Sequence, residues 1–168
     1  MKRTYKGVAI AIALSICLFI YLFYRSEKTL VNELVKLLLP GDAYLSLKTA
    51  IARSLPLTEL IIYSLPGGLW VFCVTILSRN FIIKIKGFEI EVVMIPILFA
   101  IGLEFCQLIH VTNGIFDPLD IMLYLVLWMA AAWPYRQESK QDILSPFTIQ
   151  GFMCMSCFFS VYLAHVIT

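Results

Sequence analysis

Five apolar runs dominate this chain: residues 8–24, 58–77, 92–111, 119–135 and 147–167. Each is close to the roughly 20 residues an α-helix needs to cross a hydrocarbon layer about 30 Å thick. Inside lipid, backbone N–H and C=O groups must find partners within the protein, and a helix supplies them within one segment. The pattern predicts an all-α fold, a polytopic membrane helical bundle with about five transmembrane helices. With 61% of its 168 residues hydrophobic and 14% charged, the chain has more apolar surface than a soluble core of this size can cover. No internal repeat separates the runs, so residues 1–168 read as a single membrane domain without the inverted halves of many transporters.

The charges set the direction of insertion. Lys2, Arg3 and Lys6 precede the first run as in a secretory signal, but the run ends in Phe23-Tyr24-Arg25-Ser26-Glu27 with no small-residue cleavage site, and reads as an uncleaved first span. Leu14-Ser15-Ile16-Cys17 imitates a lipoprotein box, yet bulky Ile16 and the apolar residues beyond Cys17 argue against a lipid anchor. With the N-terminus in the cytoplasm, eight of the 13 Lys and Arg residues fall on the inner side and five in one long outer loop. The positive-inside bias then places the N-terminus inside and the C-terminus outside. A net charge of +2, with no basic stretch interleaved with aromatics, offers no surface for a nucleic-acid partner.

Between the runs, residues 29–40 place Leu30, Leu34, Leu37 and Leu38 at helical spacing opposite Asn32, Glu33 and Lys36, which predicts an interfacial amphipathic helix. Pro40-Gly41-Asp42 then turns the chain into a second mixed segment from Ala43 to Pro56, and the whole loop serves as a lipid-facing connector or as a lid over a pocket. Residues 81–92 alternate apolar and charged side chains about Gly87, setting Lys84 and Lys86 against Glu89 and Glu91 in a short hairpin. Pro66 should bend the second span, with Gly67-Gly68 admitting a close neighbour. Cys154 and Cys157 form a Cys-x-x-Cys in an apolar helix, where packing outweighs metal ligation. The odd total of five cysteines argues against a disulfide framework.

The polar residues concentrate at 104–120. Asp117 precedes Pro118 and fits an N-cap, with Asp120 at the third helical position, where a carboxylate suits the helix dipole. Glu104 lies too deep in its span for a short carboxylate to reach water and should face the bundle interior, and the i, i+3 spacing puts Gln107 on the same face. His110 ends the same span and His165 lies near the end of the fifth. Glu104, His110 and Asp120 are the catalytic candidates; Glu104, Gln107 and Asp120 are the ligand-binding ones. No HExxH or comparable ligand spacing is present, so neither a metal nor a cofactor is expected.

With these residues in view, the segment from about Leu60 to Trp133 resembles the VanZ-like family of bacterial integral membrane proteins. The resemblance rests on Glu104-x-x-Gln107 late in one span, a short loop, and Asp120 entering the next, with Ser64-Leu65-Pro66-Gly67-Gly68-Leu69-Trp70 one helix earlier. It implies a multi-pass protein of the bacterial cytoplasmic (inner) membrane, a cell-envelope role and a link to glycopeptide-antibiotic resistance. The chain departs from the family pattern in having no arginine in the loop after Gln107 and Tyr124 where an asparagine is common. Three functions follow as expectations. The first is an outward-facing polar pocket that binds a lipid or glycan-lipid headgroup. The second is an enzyme acting on an envelope lipid, with Glu104 as acid or base and His110 or Asp120 assisting. The third is a subunit, immunity-like, that packs on a membrane-protein partner through Gly67-Gly68 and Ala130-Ala131-Ala132.

Overall fold

The computed structural model describes residues 3–25, 41–85, 88–112, 115–133, 141–142, 149 and 151–157. The fold is mostly helical, with a small three-stranded sheet. The first run forms α1 (Arg3–Phe23), and its segment Tyr5–Phe23 is long and apolar enough to cross a membrane. Ser15 does not interrupt it, because its hydroxyl donates to the Ala11 carbonyl at 2.8 Å and so stays satisfied within the helix. The second, third and fourth runs carry shorter apolar helices, Leu65–Ser78, Val92–Leu108 and Pro118–Ala132. Of the fifth run, residues 151–157 are helical, and the remainder apart from Ile149 lies outside the described residues, as does the amphipathic segment 29–40.

The mixed segment is α2 (Gly41–Ser54), and it begins at Gly41, inside the stretch expected to turn. Three hydrogen bonds hold α2 and the residue after it to the end of α1. Tyr44 donates to the Leu22 carbonyl at 2.6 Å, Lys48 to the Arg25 carbonyl at 2.8 Å, and the Tyr24 hydroxyl to the Leu55 carbonyl. The last carbonyls of a helix lack intrahelical partners and carry partial negative charge, which a lysine and a phenol neutralise here.

The second run divides into α3 (Glu59–Tyr63) and α4 (Leu65–Ser78), with Ser64 ending one and beginning the other. Pro66 has no N–H to offer the Ile62 carbonyl, so the helix restarts with proline in its first turn instead of bending continuously. The third run opens with a 3-10 turn, Val92–Met94, and continues as α5 (Ile95–Leu108), again with a proline near its start. α6 (Pro118–Ala132) carries the fourth.

The expected hairpin forms from β1 (Phe81–Ile85) and β2 (Phe88–Glu91), in a register that sets Lys84 opposite Glu89. Their side chains pair at 3.2 Å, both more than half exposed, a contact of small energetic weight. A two-residue β3 (Gln141–Asp142) adds a parallel neighbour to β1. Where the sheet meets the helices, Val74, Phe81, Val92 and Cys154 form a buried core against Trp70 and Leu77. Cys154 is thus a packing residue, as its apolar setting predicts.

The Gly67-Gly68 pair is covered from within the chain. A methyl at Gly67 would lie 2.9 Å from the Tyr124 hydroxyl, and one at Gly68 would lie 2.6 Å from Leu127 Cδ1. The two glycines let α4 and α6 approach closely, and the surface that the sequence offers to a partner protein is occupied by α6 itself.

Candidate functional site

The C-terminal half of α1 meets the start of α4, and the end of α5 meets the first half of α6. Contacts at 3.8 Å between Cys17 and the Pro66 carbonyl, and at 3.3 Å between Tyr124 and Glu104, mark this junction. A cavity of about 350 Å³ opens here. Its long wall is apolar, built from Ile10, Leu14, Val74, Leu77, Leu103 and Met153, and Tyr21, Glu104, Gln107 and Tyr124 supply polar groups toward one end.

Glu104 is the centre of that polar end, and only 3% of its surface is exposed. Its Oε1 accepts from the Tyr124 hydroxyl at 3.3 Å and its Oε2 from the Asp117 backbone N–H at 3.5 Å. With its amide turned so that the NH2 meets acceptors, Gln107 donates to Glu104 Oε2 at 3.3 Å and to the Ile115 carbonyl at 3.2 Å. The i, i+3 spacing on α5 brings the two side chains to one face, and three donors converge on one carboxylate. Such a group can hold a ligand's donor or exchange a proton with it, and its position is set by three elements at once.

Asp117 does the capping work expected of it. It sits in extended backbone (φ −129, ψ 117), Pro118 follows as the first helical residue, and Oδ1 accepts from the Leu119 N–H at 2.9 Å. Asp117→Asn is expected to be nearly silent, whereas Asp117→Ala costs about 0.5–2 kcal/mol. Thermal denaturation of the two purified variants checks this; an equal loss in both would mean that the charge, not the cap, matters.

His110 stands apart from the cluster, exposed and in left-handed backbone at φ 57. Its N–H donates to the Gln107 carbonyl at 3.0 Å and the Val111 N–H to the Cys106 carbonyl at 2.8 Å, the paired bonds of a Schellman helix stop. α5 therefore ends at Leu108, short of the Val111 boundary read from hydropathy. Histidine is strained in this conformation, so His110→Gly is expected to raise stability by about 1 kcal/mol. A histidine needed for chemistry would show the opposite pattern, loss of function without gain of stability.

Asp120 joins the cluster from one turn above Tyr124 on α6. Among the described residues, its Oδ1 is buried without a hydrogen-bond partner, as is Arg25 Nε, and Ser64 is buried between α3 and α4. The Arg25 guanidinium lies 5.4 Å from the Tyr21 ring centre and 5.0 Å from that of Tyr63, and donates to the Tyr63 carbonyl at 3.4 Å. Reading the sequence alone missed Arg25, which counted there only as a loop charge, together with Ser64, Tyr21 and Tyr124. The clue for Arg25 was its place at the very end of the first run, level with the polar end of the third. No family model, no curated protein and no solved structure matches the chain, so the reading of this site rests on its own geometry.

Proposed function

We propose that the chain is a VanZ-like, multi-pass protein of the bacterial cytoplasmic membrane whose cavity binds an envelope lipid, headgroup toward Glu104, Gln107 and Asp120. The observation that carries this reading is a cavity apolar along its wall and polar toward one end, the distribution that an amphiphile needs. A second cavity shares Ile10, Leu14, Leu77 and Met153 with the first and reaches Lys6 and Asn80. From Gly67 to Asn80 the groove follows α4 for about 20 Å at 1.5 Å per residue, enough for an acyl chain.

The surroundings suit a bilayer. Only 11% of the apolar window of α1 is buried, whereas the core helix of a soluble protein would be mostly covered. Leu98 and Phe105 on α5, and Met122 and Val126 on α6, also face outward uncovered. Val92–Leu108 extends about 26 Å as a helix, near the thickness of the hydrocarbon layer. In this reading the Glu104 end faces the outer leaflet, and the hairpin with Lys84 faces the cytoplasm.

Two measurements test it. Reporter fusions are expected to place the N-terminus inside and the C-terminus outside; both termini on one side would remove one span. Mass spectrometry of lipids that co-purify with the protein should find a defined headgroup in the wild type and its loss in folded Glu104→Gln. Identical lipid profiles would sink the binding reading, and turnover of the retained lipid would convert it into an enzyme.

A further inference from the structure

Glu104 brings the one formal charge to the lining of the cavity, and no lysine or arginine lines it. Its hydrogen-bond partners are all neutral groups: the Tyr124 hydroxyl on Oε1, and the Asp117 N–H and the Gln107 amide on Oε2. The Ile115 carbonyl can only accept, so it fixes the Gln107 NH2 on that side. Both partners of Oε2 are therefore donors, and that oxygen carries no proton of its own. Three neutral donors orient the carboxylate without supplying a counterion.

Among the described residues, no cation forms an ion pair with Glu104. Arg25 is held elsewhere, with its guanidinium 5.4 Å from the Tyr21 ring centre and 5.0 Å from that of Tyr63, and with a hydrogen bond to the Tyr63 carbonyl. Asp117, whose N–H meets Oε2, adds a second acid at the same end. With 3% of its surface exposed, Glu104 is a buried charge that costs stability until a cation joins it.

The cavity itself is where that cation can enter. A phosphate or carboxylate there would bring like charge to Glu104 and meet no basic side chain in the lining. A hydroxyl could donate a hydrogen bond, as three groups already do, and would leave the charge uncompensated. An ammonium group compensates it. Tyr21, Trp70 and Tyr124 line the same cavity, and aromatic rings attract an alkylated ammonium most strongly where water is excluded.

We propose that the cavity selects its amphiphile by charge, taking a positively charged ammonium group at Glu104 on an apolar chain that lies along the Leu14, Val74 and Leu77 wall. This inference rests on the lipid-binding reading above and adds the class of headgroup to it. The same chemistry is carried by a phosphate-free cationic lipid, by a zwitterionic lipid whose phosphate stays outside the cavity, and by a free one-chain ammonium amphiphile.

The test uses the full chain in a nonionic detergent, with bound ligand counted by native mass spectrometry. Dioleoyl trimethylammonium propane, dioleoylglycerol and dioleoyl phosphatidic acid share their acyl chains and differ in headgroup charge. The cationic lipid is expected to bind the wild type at least about tenfold more tightly than dioleoylglycerol, a difference of about 1.4 kcal/mol, and phosphatidic acid to bind least. Glu104→Gln should bring the cationic and neutral lipids to within about threefold of each other. Gln107→Lys keeps Glu104 and builds a counterion beside it, and should remove the same preference. Dioleoyl phosphatidylcholine and dodecyltrimethylammonium carry the same trimethylammonium group, and the tightest of the three carriers identifies its source. Dioleoylglycerol or phosphatidic acid binding as tightly as the cationic lipid, or a preference unchanged in both variants, overturns the inference and leaves the lipid-binding reading intact. Failure of every lipid to bind the wild type overturns both.

Discussion

Replacing Glu104 by alanine is expected to lower stability by about 3 kcal/mol or more, and replacing it by glutamine by roughly half of that. The carboxylate accepts from the Tyr124 hydroxyl, the Gln107 amide and the Asp117 backbone N–H, so truncation strands three donors in a nearly closed site. Each unsatisfied buried polar group costs about 1–3 kcal/mol, lowered where water can enter the cavity. Glutamine fills the same volume and keeps one oxygen, but turns its NH2 toward a donor, leaving one contact unmet. Thermal melts of both variants in detergent, beside their abundance in membranes, measure the difference. Equal and small effects of alanine and glutamine would show that the three donors are satisfied elsewhere and that Glu104 does not organise the site. The glutamine variant is therefore the one for lipid retention, since it removes the ionisable proton while the fold persists.

Gly67→Ala is expected to damage the protein more than Gly68→Ala, although the nearer contact is at Gly68. At Gly68 the added methyl would meet Leu127 Cδ1 at 2.6 Å, the far end of a side chain that can rotate away. At Gly67 it meets the Tyr124 hydroxyl at 2.9 Å and the ring at 3.1 Å, and the ring is a rigid plate. Relief there requires Tyr124 to shift, which pulls its hydroxyl from Glu104. Overpacking of this kind costs about 1–3 kcal/mol, against roughly 1 kcal/mol or less at Gly68. A double-mutant cycle isolates the cause: Tyr124→Phe removes the closest atom, so Gly67→Ala should cost less by about 1 kcal/mol in that background. Strict additivity would place the effect of Gly67 in the helix backbone and not in its contact with Tyr124.

The local geometry around Glu104 and Asp117 was legible in the sequence. The depth of Glu104 in an apolar run required it to turn inward, and it is buried; Asp117 before Pro118 carried the signature of a cap, and it caps. Lys84 and Glu89 paired as their alternation about Gly87 predicts. These readings share one property: each depends on residues within a few positions of one another, where helix and strand periods determine who faces whom. The halt of α5 at Leu108 was harder, because apolar residues continue to Val111 and hydropathy does not register a left-handed residue at His110.

The sequence by itself determined the apolar helices, their approximate order and the polar face of α5, because backbone hydrogen bonding and burial act locally and leave a periodic trace. Only the tertiary structure decided that Tyr124 donates to Glu104, and that Arg25 stacks over Tyr63 and donates to its carbonyl. It also turned Gly67-Gly68 from a surface for another protein into the seat of α6. Such pairings are set by which helix faces pack and by how closely small residues let them approach, a property of two segments together that neither segment records alone.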